Sequence, residues 1–150
     1  MDEKMMVKVR VEREIEAPQE LLFDLLADHT QHTKWNPNML EATLYDEGPI
    51  VKGSKGTTIG MGQGRRFENE IYYEVYDRPK YVLGGTTSGN IDAQMSNEFI
   101  PTEKGTKIIY TLEVQFKGFL RLVQPFMKGS LIKQKEEELK ALAEYVAKNK

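Results

Sequence analysis

The chain opens on strict alternation. In "MVKVRVEREIEA", Val7, Val9, Val11 and Ile15 are apolar, and Lys8, Arg10, Glu12 and Glu14 between them are charged. A period of two belongs to a strand with one buried face. Arg13 breaks the pattern, which predicts a bulge or the strand end there. The period then lengthens. In "APQELLFDLLADHTQHTKW", Leu21, Leu22, Leu25 and Leu26 recur at helical spacing, and Phe23 adds bulk. Pro18 suits a first helical turn, where its missing N–H costs little. A second short helix is predicted through Thr30 to Trp35. Asn36-Pro37 ends it, because proline disfavours helix in the residue before it.

From Met39 to Phe116 there are only strand patterns and turn signals. Strands are predicted at 38–47, 56–63, 65–77, 80–88, 91–101 and 106–116. The breaks are "EGP", "GQG", "DRP", "SGN" and "TEKG", in which glycine and asparagine supply positive φ and proline presets φ. Such short connections imply antiparallel neighbours joined by hairpins. Beyond Phe116 the period is helical again. Leu120, Val123, Met127, Leu131, Leu139, Leu142 and Val146 trace one stripe, with Lys and Glu opposite from Lys133 onward. This predicts an amphipathic helix of roughly 25–30 residues with a kink at Pro125. At about 1.5 Å per residue it would cross a whole sheet.

The stretch "IGMGQGRRFE" places Gly60, Gly62 and Gly64 at alternate positions. A dinucleotide-binding loop would need a helix next in the chain, with its N-terminus on the pyrophosphate. Beyond Gly64 the chain instead reads "RRFENEIYYEVYD", which alternates with period two. No Lys-Ser/Thr pair completes a P-loop. The better reading is a strand bare on one face, with Gly60 and Gly62 opposite Ile59 and Met61. Interior glycine in a strand marks sharp curvature or a close approach by another group.

The order of elements is strand, two short helices, six strands, long helix. With it go "VEREIEAPQELLFDLLAD" (Val11 to Asp28), "HTKWNP" (His32 to Pro37) and "GSKGTT" (Gly53 to Thr58). Together these resemble the START-like, polyketide-cyclase superfamily. The resemblance implies an α+β helix-grip fold: a curved antiparallel sheet of about seven strands around a long C-terminal helix, as one domain over residues 1–150. It also implies an apolar cavity between sheet and helix. Members bind lipids, sterols, hormones or aromatic polyketides, and a minority catalyse cyclisation or dehydration. The superfamily shares no universal catalytic triad, so no catalytic residue carries over. Fold-level analogy does not establish function.

Strand parity then assigns the faces. The charged residues of "ENEIYYEV" claim solvent, which sends Phe67, Asn69, Ile71, Tyr73 and Val75 inward. Later strands add Ile91, Ala93, Met95, Asn97 and Phe99, and then Ile108, Tyr110, Leu112 and Val114. Ile59, Met61, Tyr81 and Leu83 are expected inward as well, with Val123, Met127 and Leu131 from the helix. From this set the expected ligand contacts are Trp35, Ile59, Met61, Phe67, Asn69, Ile71, Tyr73, Tyr81, Leu83, Met95, Asn97, Tyr110, Leu112, Val123, Met127 and Leu131. A mostly apolar wall with a few polar groups is what small organic ligands use, although tyrosine and methionine on a buried face commonly serve as plain core. Asn69 and Asn97 say more, because a buried amide without a partner costs roughly 1–3 kcal/mol. Trp35 either caps the core or lies under the cavity mouth.

Composition narrows the function without naming it. The 150 residues carry 21 Lys+Arg against 23 Asp+Glu, net −2, with no basic excess of the kind nucleic-acid binding uses. Cysteine is absent, which removes disulfides, thiolate metal sites and a cysteine nucleophile. The charged start "MDEKMM" lacks a signal-peptide core, and no apolar run approaches the roughly 20 residues of a membrane span. A cytoplasmic protein, monomer or homodimer, is expected. His29 and His32 beside Asp28 have a spacing that some metal sites use, but a third ligand is not evident. They are expected as exposed polar residues, with no metal and no cofactor. Glu68, Glu70 and Glu98 are expected in solvent; a register slip of one residue would turn them inward, where burial would raise their pKa. Arg65 and Arg66 suit a solvated turn or the rim around an acidic ligand. "FKGFLRLVQPFMKGSLIKQK" mixes large apolar and basic residues. It fits a helix packed on the sheet better than a membrane-contacting one. "KQKEEELK" reads as a solvated helix face with opposite charges paired at i,i+4.

Three roles remain open. The first is a carrier or binding protein for an apolar or aromatic small molecule. The second is a cyclase or dehydratase in which Tyr73, Tyr110, Asn69 and Asn97 orient the substrate. The third is a protein-interaction module with an exposed apolar patch.

Overall fold

A computed structural model describes residues 6–62, 64–89 and 91–149. The turn residues Gln63 and Asn90 lie outside the described residues. Seven antiparallel strands form one curved sheet: β1 (Met6–Ile15), β2 (Met39–Leu44), β3 (Lys55–Gly62), β4 (Arg65–Asp77), β5 (Tyr81–Ser88), β6 (Ile91–Pro101) and β7 (Thr106–Phe116). Their order across the sheet is β1-β7-β6-β5-β4-β3-β2. Each hairpin therefore lies beside the next, and only the β1–β2 connection crosses over. It does so through α1 (Gln19–Ala27), a 3-10 turn at His29–Gln31 and α2 (His32–Trp35). The terminal helix α3 spans Lys128–Lys148.

Residues directly opposite across a ladder share a face. The concave face runs through Val9, Leu112, Met95 and Gly84, which stand opposite one another along β1, β7, β6 and β5. β1 and β7 pair without a register break, so Arg13 keeps the inward parity of Ile108 and is neither bulged nor terminal. It is exposed, at the cleft that opens between the edge strand and the terminal helix.

Helix α1 has nine residues, too few to be stable alone. It is held by burial of Leu22, Phe23, Leu25 and Leu26, at roughly 1.5–3 kcal/mol for each large apolar side chain. Phe23 meets Phe99 and Tyr76 edge-on, with ring centres 5.2 and 5.1 Å apart. This closes one end of the sheet. α3 packs chiefly on β1 and buries Leu139, Leu142 and Val146.

Two boundaries differ from the periodicity. β2 stops at Leu44 because 45–54 turns away through Gly48 and Gly53, both at positive φ, around the buried Ile50. The terminal helix begins at Lys128 and has 21 residues. Ahead of it lie two 3-10 segments, Gly118–Leu122 and Gln124–Phe126. Pro125 has no N–H to donate, and its ring would clash with the carbonyl four residues back. The helix is therefore interrupted there, and Pro125 does not merely kink it.

Candidate functional site

The concave face divides in two. Near α1 it is closed core: Phe99, Ile108, Tyr73 and Val82 are buried. Toward the opposite end, where β7 finishes at Phe116 beside Ile91, it stays half-exposed. There β3 presents only Gly60 and Gly62, the bare positions that the alternating glycines predicted. Phe67 stands opposite Gly60, and Asn69 stands opposite Thr58. Ile71, Ala93 and Met95 continue the wall, and Met127 and Leu131 approach from the helix side. The result is a half-exposed apolar trough along the concave face, and the enclosed apolar cavity that the family resemblance implies is not seen among the described residues. A separate polar cleft of about 370 Å³ lies at the β1 edge, between Arg10–Arg13 and Glu136 and Leu139 of α3.

Four expected contacts face the other way. Ile59 and Met61 stand opposite Glu68 and Arg66. Tyr81 and Leu83 stand opposite Glu98 and Ser96. All four lie on the outer surface of the sheet; the inward positions beside them are Thr58 and Gly60 on β3 and Val82, Gly84 and Thr86 on β5. Val75 is also outward: the ladder slips one residue between Tyr73 and Val75, so Tyr76 takes the inward place. Val123 is exposed between the two 3-10 segments. Trp35 is core, its Nε1–H donating to the Leu25 carbonyl at 2.8 Å. Leu112 is buried under Val9 and Met95. Glu68, Glu70 and Glu98 are exposed.

Asn97 and Tyr110 sit opposite each other at the inner end of the trough. Asn97 is only 4% exposed, and its Oδ1 has no hydrogen-bond partner among the described residues. Tyr110 donates its hydroxyl proton to Met95 Sδ at 3.4 Å, and burial raises its pKa. The ammonium of Lys135 lies 5.3 Å from the Tyr110 ring centre and 3.1 Å from Glu138 Oε1. Burial pushes the lysine down, but Glu138 and Tyr110 more than offset it, so its pKa is raised and it stays charged. Its side chain is 13% exposed. "KQKEEELK" is therefore not wholly solvated. The sequence held the signal: Leu131, Lys135, Glu138, Leu139 and Leu142 follow one helical stripe.

The histidines are also inward. His29 is buried, and its Nε2 stands 2.6 Å from the Thr43 carbonyl. A carbonyl only accepts, so Nε2 carries the proton and Nδ1 of the neutral ring accepts. Tyr73 supplies that contact at 2.7 Å, shares its proton with the Ala27 carbonyl at 2.9 Å, and accepts the His29 backbone N–H at 3.0 Å. Gly56 permits this: a Cβ there would stand 2.0 Å from the Thr43 oxygen and 2.7 Å from His29 Nε2. His32 Nε2 lies 2.6 Å from the Leu26 carbonyl. Burial lowers the pKa of both imidazoles. Their polar atoms are spent on the fold, and the described residues hold no cluster of three or more His, Asp or Glu that could bind a metal. Tyr73 is likewise committed to the fold. Asn69 Nδ2 reaches Thr58 Oγ1 at 3.4 Å.

An open seven-stranded antiparallel sheet gripping a terminal helix, with two short helices after the first strand, is the helix-grip architecture. The chain belongs to the polyketide cyclase / dehydrase and lipid transport family, which matches residues 6–147. Its fold is shared by TTHA0849 from Thermus thermophilus, at 18% identity and TM-score 0.78 over 95% of this chain and 98% of that one. Ara h 8.0201 superposes at 18% identity and TM-score 0.73, over 95% and 99%. The di-domain ARO/CYC BexL from the BE-7585A biosynthetic pathway does so at 12% identity and TM-score 0.77, over 95% of this chain and 50% of that one. No curated protein matches the chain. No helix among the described residues is long and apolar enough to cross a membrane.

Proposed function

We propose that the chain binds an apolar or aromatic small molecule, lipid-like or polyketide-like, in the trough between the concave face and α3. The observation that carries this is the Asn97 amide. Its Oδ1 lies buried without a partner among the described residues, at the inner end of a half-exposed apolar wall that includes Ile71 and Met95. An apolar surface left half wet gains by being covered, and an orphan acceptor gains from a donor such as a ligand hydroxyl. Family membership supports the same class of ligand. In this reading the protein works in the cytoplasm as a carrier and needs no cofactor.

The test is displacement of anilinonaphthalene sulfonate. The dye should bind wild type and leave on titration with a long-chain fatty alcohol or a polycyclic phenol. Met95→Glu should remove the site. Dye binding that Met95→Glu leaves intact overturns the assignment.

A reaction on the bound molecule is the second reading. It is favoured by the Tyr110 hydroxyl and the charged Lys135, which meet beside Asn97 where an oxyanion would develop. Tyr110→Phe would then bind the same probes and lose turnover.

A further inference from the structure

The segment between β7 and α3 behaves oppositely to an ordinary surface. Leu120 and Met127 turn inward and pack on the core. Phe119, Leu122 and Phe126 turn outward and are 73%, 78% and 82% exposed, with Val123 also exposed between them. Three large side chains projecting together from one short segment exceed the scattered apolar exposure that normal surfaces carry.

Charge selects the occupant. From Val114 to Lys135 the chain has Lys117, Arg121, Lys128, Lys133 and Lys135 and not one Asp or Glu, although the whole chain is net −2. Lys117 is tied to Asp92 and Lys135 to Glu138. Lys128 and Lys133 are exposed in the chain that follows the apolar side chains. Exposed aromatic residues in one segment with exposed lysines match an anionic bilayer, in which the rings enter the headgroup boundary and the lysines meet lipid phosphates. The position fits as well. The segment leaves the sheet after Phe116, at the half-exposed end of the trough beside Ile91.

The geometry points to 117–133 as a docking surface for anionic phospholipid membranes, with Phe119, Leu122 and Phe126 as the inserting side chains. The docking does not depend on a ligand in the trough, because these side chains lie outside it.

Vesicle co-sedimentation of the full chain tests this. Wild type should sediment with phosphatidylglycerol-rich vesicles, stay in solution with pure phosphatidylcholine, and be released by high salt. Phe119→Ser/Phe126→Ser should lower partitioning at least about tenfold. Lys128→Ala and Lys133→Ala should each lower it about fivefold. The thermal melts should be unchanged, because the replaced side chains are exposed. Three results overturn the inference: no binding of wild type to phosphatidylglycerol-rich vesicles, equal binding to both lipids, or variants that bind as wild type does. A concentration-dependent dimer in light scattering that the Phe variant dissolves, without vesicle binding, would assign the patch to a second copy instead. Failure of dye displacement from the trough leaves these outcomes unaffected.

Discussion

Replacing Tyr73 by Phe tests whether the most connected polar group inside the sheet is structural. The hydroxyl accepts the His29 N–H, donates toward the Ala27 carbonyl and touches His29 Nδ1, all within 3.0 Å. A phenylalanine fills the same space and makes none of these bonds. The His29 N–H and the Ala27 C=O then lose this partner in a buried setting. At roughly 1–3 kcal/mol for each of the two orphaned groups, the loss is about 2–6 kcal/mol. That is a large share of a total stability of about 5–15 kcal/mol. For a chain of this length it corresponds to a fall of about 4–24 °C in Tm. Tyr110→Phe provides the comparison. Its hydroxyl donates to a sulfur at 3.4 Å and meets the Lys135 ammonium, but it satisfies no buried backbone group, so its loss should cost less, about 1 kcal/mol. Urea unfolding followed by circular dichroism, with m unchanged, measures both. If Tyr73→Phe unfolds within about 0.5 kcal/mol of wild type, or Tyr110→Phe is the more damaging, the network assigned to Tyr73 is wrong.

Other consequences can be measured in the same way. Asn97→Leu removes the orphan acceptor along with its need for a partner, so it should raise apo stability by about 1 kcal/mol and abolish the thermal shift given by hydroxylated probes. A less stable variant that binds those probes normally would refute the role of Asn97. Lys135→Met leaves the half-buried Glu138 unpaired and should cost about 2–3 kcal/mol, while Lys135→Met/Glu138→Leu should recover most of it; a double variant as unstable as the single contradicts the pairing. Gly56→Ala forces a methyl onto the Thr43 carbonyl and should destabilise by at least about 2 kcal/mol, read from the urea midpoint. Burial holds the folded pKa of His29 and His32 below the unfolded value. The native state therefore binds fewer protons than the unfolded state, and stability that is complete above pH about 6.5 drains away as pH falls below it. A urea midpoint that stays flat between pH about 7 and about 5.5 would show that these rings are not buried neutral.

What the sequence determined by itself were the elements and their order. Period two and period 3.6 are local properties of a chain, set by which side a side chain takes. They place β4, β6 and β7 to the residue, and a helix where α1 lies. The bare face at Gly60 and Gly62 was equally local, as was the outward turn of Glu68 and Glu70. Only the tertiary structure decided which of two apolar faces is the inner one, because parity is relative until the ladder is registered. That is why the local pattern favours Ile59, Met61, Tyr81 and Leu83 as inward residues, while Thr58, Gly84 and Thr86 hold those places. It also decided which polar groups are buried. His29, His32, Lys135 and Glu138 read as solvated by residue type, yet each lies where another element covers it. Burial depends on the partner surface, and no period along one segment contains it.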